Sequence, residues 1–384
     1  MAGRRAGDGV SEGARALLAE VARVGREVAR PAAVAVDAEA RFPRETLAAL
    51  RACGALAAAV PRTLGGGGLS IDELVAMCTA LGRHCASSAM VLAMHHIQVS
   101  SIVHHGGERP ELAAYLRRVA SEQRLIASVT SEVGPEGDMR RSVAAVEGEG
   151  AHFTLKKQAT TISYGVDADD LLVTARRHPT APAGDQVLVL LLRGDYVLTT
   201  SGSWDALGMR GTCSLPGVIE ARGAGWQVLP EPFGDIAART MVPTSHLVWA
   251  GCWLGIAEDA VAVARSRVRS EARFRVGVTP PAAQRLADTA AKLQLLRQAV
   301  GGAARDYAAR LAVGDRDGLG SVGFALRMNE LKLSASRLVV EIVGEALGVC
   351  GIAGYKNDSP FSLARHLRDA HSAPLMINNH RILE

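Results

Sequence analysis

Apolar residues recur at helical spacing from about Ser11 to Ser121, as in Leu17, Leu18, Val21, Val24 and Val28 and again in Leu47, Leu50 and Leu56. The interruptions carry turn chemistry: Phe42-Pro43, Val60-Pro61, the run Gly65 to Gly68, and His105-Gly-Gly-Glu-Arg-Pro110. Ser70-Ile-Asp-Glu73 has the spacing of a capping box, so a helix is expected to start there. From about Ile126 to Val228 the pattern changes to short β-prone runs separated by Gly, Asp and Pro. Ala151 to Leu155, Asp170 to Thr174 and Val187 to Leu192 read as strands, close enough in sequence for a compact barrel or sandwich. After Pro243 the helical period returns through Leu254 to Val268, Pro281 to Ala309 and Val322 to Leu347, broken clearly only at Gly314-Asp-Arg-Asp-Gly318. Three long helices and a tail predict a four-helix bundle. The expected fold is therefore α+β in three parts: an all-helical domain over 1–125, a middle β-barrel domain over 126–238 and a four-helix bundle over 239–384.

Composition narrows the function more than the fold. With 384 residues, 48% of them hydrophobic, the chain can bury a large core. The net charge of +4 is spread in short alternating runs, which argues against a nucleic-acid surface. Cys53, Cys78, Cys85, Cys213, Cys252 and Cys350 show no metal-ligand spacing, so no metal is expected. They read as small buried hydrophobes in a reducing compartment. Met1 to Asp8 is basic but leads into charged amphipathic sequence rather than the apolar core of a signal peptide, and no uncharged apolar run is long enough for a membrane span, so a cytoplasmic location is expected.

Chemistry enters through a set of ordered segments. Leu347-Gly-Val-Cys-Gly-Ile-Ala-Gly-Tyr355 followed by Arg365-His-Leu-Arg-Asp369 resembles the flavin-binding C-terminal helices of the acyl-CoA dehydrogenase family. Ser131-Glu-Val-Gly-Pro-Glu-Gly-Asp138, Tyr164-Gly-Val-Asp-Ala-Asp169 and Leu207-Gly-Met-Arg-Gly-Thr212 are similar to three further segments of that family, in the same order. The resemblance implies FAD held between the middle domain and the bundle, with the site completed by a second subunit of a homodimer or homotetramer. It places Thr130, Ser131 and Ser163 toward the flavin ring and Thr161 where an aromatic residue usually covers one ring face. It also implies Gly351 and Gly354 beside the dinucleotide, Arg273 as the cation for the pyrophosphate, and Asn379 where a flavin-contacting threonine stands. Ser245, His246 and Trp249 fall at the start of the first bundle helix, where the substrate pocket is expected.

The family's catalytic glutamate has no counterpart. Counted from Arg368-Asp369, its position is Ile377, which cannot take a proton from the α-carbon of a thioester. The alternative base position on the first bundle helix is Ser245, equally unsuited. His380 and His371 flank the loop and are the candidate replacements. The expected activity is thus FAD-dependent α,β-dehydrogenation of an acyl thioester, on CoA or a carrier protein, with a non-standard base. The alternative is a flavin monooxygenase using reduced flavin and O2, which needs no α-carbon base. Without a GxGxxG segment, electrons are expected to pass through an electron-transfer flavoprotein or a flavin reductase.

Overall fold

The computed structural model describes residues 12–134, 138–148, 150–273, 279–377 and 379–383. Ser11, Pro135-Glu136-Gly137 of the loop that precedes Asp138, and the N-terminal run Met1 to Asp8 lie outside them.

Six helices come first: α1 (Glu12–Val24), α2 (Arg30–Ala38), α3 (Arg44–Ala52), α4 (Ile71–Gly82), α5 (Ala86–His105) and α6 (Pro110–Glu122). Helix α4 starts where the capping-box spacing places it. Ser70 is its N-cap, and the Ser70 amide donates to Glu73 Oε2 at 2.8 Å. Helix α5 is buried on nearly every face, its serines and histidines included, and lies in the interior, packed on α4 and on the bundle. His95 and His96, within it, are fully buried. The His95 ring donates from Nε2 to the Leu56 carbonyl (2.7 Å) and accepts at Nδ1 from the Ile126 amide (3.0 Å), tying α5 to the first strand.

The seven strands are β1 (Ile126–Val129), β2 (Val146–Glu147), β3 (His152–Ile162), β4 (Asp170–Arg176), β5 (Gln186–Leu192), β6 (Tyr196–Thr200) and β7 (Leu215–Ala224). They do not form the expected barrel. Among the described residues they make two open sheets, one ordered β1-β4-β5 and the other β2-β3-β7-β6. The reason lies in the side-chain patterns. Strands β4 and β5 are buried almost throughout, whereas β3 alternates buried and exposed residues, as a one-sided sheet does. Closure would need long ladders between the sheets with matched tilt and stagger. The four-residue β1 and two-residue β2 cannot supply them. A single bridge, Ala145 to Arg176, links the β2 approach to β4, and Val189 to Val228 is another isolated bridge.

After the strands come α7 (Phe233–Ile236), α8 (Val242–Ala272), α9 (Ala282–Ala312), α10 (Arg316–Leu319) and α11 (Val322–Cys350), then the short α12 (Ile352–Tyr355), α13 (Ala364–Ala370) and α14 (Asn379–Leu383). Helices α8, α9 and α11 pack on one another, and the tail continues the bundle as short pieces rather than one long helix. The run Phe233–Ala272 is long and apolar enough to cross a membrane, yet 83% of its most apolar window is buried in the fold, as in a core helix.

Two polar junctions lock the tail to the rest. In the first, buried Asp259 on α8 receives Arg30 from α2 at 2.6 Å and His366 from α13 at 2.8 Å. Burial pushes the Asp259 carboxyl up, but His366 and Arg30 outweigh it and hold the pKa at about 2, below its ordinary 3.8. In the second, Asp369 Oδ1 accepts the Met209 amide at 2.7 Å, and Arg368 pairs with Asp37. Gly208 makes this approach possible, since a Cβ there would sit 2.2 Å from the Arg368 carbonyl oxygen.

Because the folded pKa of Asp259 lies below the unfolded one, its pairing stabilises the fold above about pH 4 and is lost as pH falls toward 2. Wild type should therefore lose about 2 kcal/mol more stability than Asp259→Asn between pH 4 and pH 2; urea titrations at the two pH values check this, and parallel losses would refute it. Gly208→Ala should destabilise by at least about 2 kcal/mol, because its methyl meets backbone rather than a flexible side chain. The same mutation at the open Gly344 serves as the thermal-melt control.

Candidate flavin and substrate site

Two cavities meet where the β sheets, α5 and the C-terminal tail converge. The first, about 380 Å³, is walled by Met90 and Met94 of α5, Trp204, Leu207 to Met209, and Leu375 to Ile377 of the tail. The second, about 450 Å³, runs from Thr130 and Ser131 past Gln98 to Ser245 and Trp249 on α8, with Arg141 and Arg381 in its wall. Met94, Thr161, Ser163, Leu375 and Ile377 line both.

The polar edge of the junction is preassembled. Ser131 Oγ donates to the Thr161 carbonyl at 2.7 Å and accepts the Thr161 amide at 3.1 Å, so the loop after β1 is stitched to β3. Ser163 Oγ lies 2.8 Å from Ser214 Oγ, which is 2.8 Å from Thr212 Oγ1, and Thr212 Oγ1 donates to the Met209 carbonyl at 2.8 Å. This hydroxyl chain connects the β3 edge to the Leu207–Thr212 segment, and Asp369 holds that segment from the far side.

Asp369 is buried, and desolvation raises its pKa against the lowering influence of Arg365.

Ile377 and Met209 of the wall both stand at positive φ. The Ile377 φ is +40°, a left-handed conformation that costs a β-branched residue about 1–3 kcal/mol. Behind it, the fully buried Lys332 of α11 donates Nζ to the Ile377 carbonyl (2.8 Å) and to Asn379 Oδ1 (2.5 Å). Burial lowers the Lys332 pKa to about 8. Asn379 is buried and also donates Nδ2 to Ser336 at 3.2 Å.

The structure thus brings Thr130, Ser131, Thr161, Ser163, Ser245, Trp249 and Ile377 to one pair of cavities. His371 lines the first cavity and is exposed, while His380 is exposed and lines neither. His246 lies behind the wall, its Nε2 3.3 Å from Asn329 Oδ1, and burial drives its pKa down to about 3. Ser245 spends its hydroxyl on the Met241 carbonyl at 2.5 Å. Arg273 follows α8, Gly351 follows α11 and Gly354 lies in α12, and none of them lines either cavity. Gly351 has φ +59° and open space where a Cβ would be, while Gly354 packs on Cys350 and Leu347.

Among the described residues no carboxylate lines the first cavity. In the second, Glu132 accepts Ser142 Oγ at 2.6 Å and the Val143 and Ala144 amides at 3.1 and 2.5 Å, and Lys157 Nζ lies 3.4 Å away. Asp138 is bound to Arg140, which holds its pKa below the usual carboxylate range. Sequence reasoning missed Lys332, Arg141, Arg381, Met90, Trp204 and Met209 as site residues. The first looks like any surface lysine in a helical pattern, Met209 lies in the Leu207–Thr212 segment whose motif does not say which side chain faces the cavity, and no local motif marks the other four.

An isoalloxazine needs apolar contact for its faces and hydrogen-bonding groups at its nitrogen and oxygen edge. The methionine-rich first cavity and the hydroxyl edge at Thr161 and Ser163 have that chemistry.

The comparisons agree. Family models for the acyl-CoA dehydrogenase N-terminal and C-terminal domains match residues 11–123 and 236–376. The chain is 28% identical over 354 residues to the amino sugar nitrososynthase DnmZ of Streptomyces peucetius, covering 88% of this chain and 84% of that one. It is 26% identical over 358 residues to the probable acyl-CoA dehydrogenase fadE25 of Mycobacterium bovis, covering 90% and 86%. KijD3, solved with FMN and dTDP-3-amino-2,3,6-trideoxy-4-keto-3-methyl-D-glucose, superposes with a TM-score of 0.83 at 24% identity over 98% of this chain and 93% of that one. With both domain models matched in order around a flavin-binding fold, the chain belongs to the acyl-CoA dehydrogenase superfamily of flavoproteins.

Proposed function

We propose that this flavin oxidoreductase is a monooxygenase that uses reduced flavin and O2, rather than an acyl thioester dehydrogenase. The observation that carries this reading is the wall at Ile377: a hydrocarbon stands at the position of the family's base, and among the described residues both carboxylates lining the adjoining cavity are already engaged. His380 lines neither cavity, and His371, which lines the first, is exposed to solvent rather than desolvated as a base for an α-proton needs to be. Removing an α-proton without a positioned base forfeits roughly a hundredfold to ten-thousandfold in rate. Oxygen transfer to a nucleophilic nitrogen or sulfur needs no such base, and an amino sugar nitrososynthase is among the similar proteins.

In this reading Thr161 and Ser163 hold the polar edge of the flavin ring, and Met90, Met94 and Met209 pack its faces. Bound reduced flavin would supply two electrons and activate O2, with one oxygen atom passing to the substrate and the other leaving as water. FAD is the form proposed, with the adenosine half near Gly351, Gly354 and Arg273 in a homodimer or homotetramer. A separate flavin reductase would supply the electrons. The chain's own residues line the space with Ile377 and Trp249 and orient the substrate. Arg141 and Arg381 are exposed residues in the wall of the second cavity, and we propose that they anchor an anionic group of the substrate.

Anaerobic mixing of the flavin-loaded protein with saturated acyl-CoAs should leave the yellow band unchanged; bleaching by any of them would sink the reading. With a reductase and 18O2, a panel of amines and thioethers, with and without phosphate groups, should yield a product carrying one labelled oxygen. Arg141→Gln and Arg381→Gln should each raise KM for a phosphorylated substrate about 3- to 30-fold, with kcat nearly unchanged and the effect weaker at high salt. An equal loss on the unphosphorylated analogue would remove the two arginines from that role.

A further inference from the structure

Ile377 stands in a conformation that isoleucine disfavours, with its side chain in the walls of both cavities. A strained residue persists only where its surroundings hold it. Local backbone bonds close the turn on either side, from the Met376 amide to the Ser372 carbonyl at 3.1 Å and from the Asn379 amide to the Pro374 carbonyl at 3.1 Å, while Leu375 is 73% exposed. The Ile377 carbonyl itself is taken by a buried ammonium. Lys332 is 0% exposed, is paired with no carboxylate among the described residues, and has two oxygen partners from this segment, the Ile377 carbonyl and the Asn379 side chain. Asn379 is fixed in turn one helical turn further along α11, where its amide donates to Ser336. An ammonium is costly to bury without a counter-ion. Here it is placed where it can grip one loop at two points.

We infer that Lys332 is a positioning residue: by gripping the Ile377 carbonyl and Asn379 it keeps Ile377 left-handed, as the partition between the ring cavity and the substrate cavity. The inference rests on the flavin-and-substrate reading of those cavities only for its consequence, not for the grip itself. If the grip fails, the partition swings away and the two spaces join. Lys332 touches no reacting atom; it acts through Ile377.

Hydrogen–deuterium exchange on the flavin-loaded protein tests the grip without turnover. Lys332→Met relieves the cost of burying a charge but leaves the Ile377 carbonyl and Asn379 Oδ1 without their donor. The expected result is at least tenfold faster exchange across residues 375–383, while β3 and α5 keep their protection, which separates local loosening from a global loss of stability. Lys332→Arg, which retains charge and donors, should restore part of that protection. In an Ile377→Gly background, where glycine takes the positive φ freely, the effect of Lys332→Met should shrink at least threefold. Exchange within twofold of wild type in Lys332→Met, or equal effects in both backgrounds, overturns the inference. Should Lys332→Met not accumulate as folded protein, Asn379→Ala replaces it in the same cycle, with the same criteria. Because no substrate is involved, these outcomes stand apart from whether the enzyme proves to be an oxygenase.

Discussion

The bond from the Met209 amide to the buried Asp369 carboxylate is the constraint on which the site depends. It joins the segment that crosses the β region to the helix that leads into the C-terminal tail. The Arg368 pair with Asp37 extends the same junction to the N-terminal helices. Three parts of the chain are thereby brought into register at one point, and the first cavity opens beside it. Gly208 allows the backbones to touch, so the junction is set by main chain as much as by charge. Main-chain contacts tolerate less drift than long side chains, which suits a place where several separate segments must form one wall.

The polar groups around that wall are mostly committed to one another. Ser131 bonds to the Thr161 backbone, Ser163, Ser214 and Thr212 bond in sequence, Glu132 is fully engaged, and Ser245 bonds back to its own helix. This matters for chemistry because a side chain that is already satisfied in a dry environment changes its protonation state only at high cost. At His246 burial alone has a like effect, keeping the ring neutral throughout the physiological range. Among the described residues the cavities thus have shape and hydrogen-bonding edges, with their carboxylates committed to other groups.

Much of the fold was legible from hydrophobic period. The long bundle helices, the start of α4 at Ser70 and the strands near 152, 170 and 187 sit where pattern and capping chemistry put them. The barrel was not legible, because closure depends on which strand edges meet, and β1 and β2 are too short for their pattern to say. At the site, ordered motifs led to Thr130, Ser131, Thr161, Ser163 and Ile377, which converge on the cavities. Lys332 could not be found that way: nothing local distinguishes a lysine that grips a distant carbonyl from one that points to solvent. Asn379, placed by resemblance beside a flavin, turns instead toward Lys332 and Ser336, and only the packing of α14 on α11 reveals it.

The five residues common to both cavities bear on how such a protein can diversify. A change at Met94, Thr161, Ser163, Leu375 or Ile377 reshapes the space for ring and for substrate together, so a gain for one risks a loss for the other. Gln98, Arg141, Met241 and Arg381 face only the second space. Lineages descended from this architecture can acquire new substrates by drifting at those four positions while the shared five stay under joint selection.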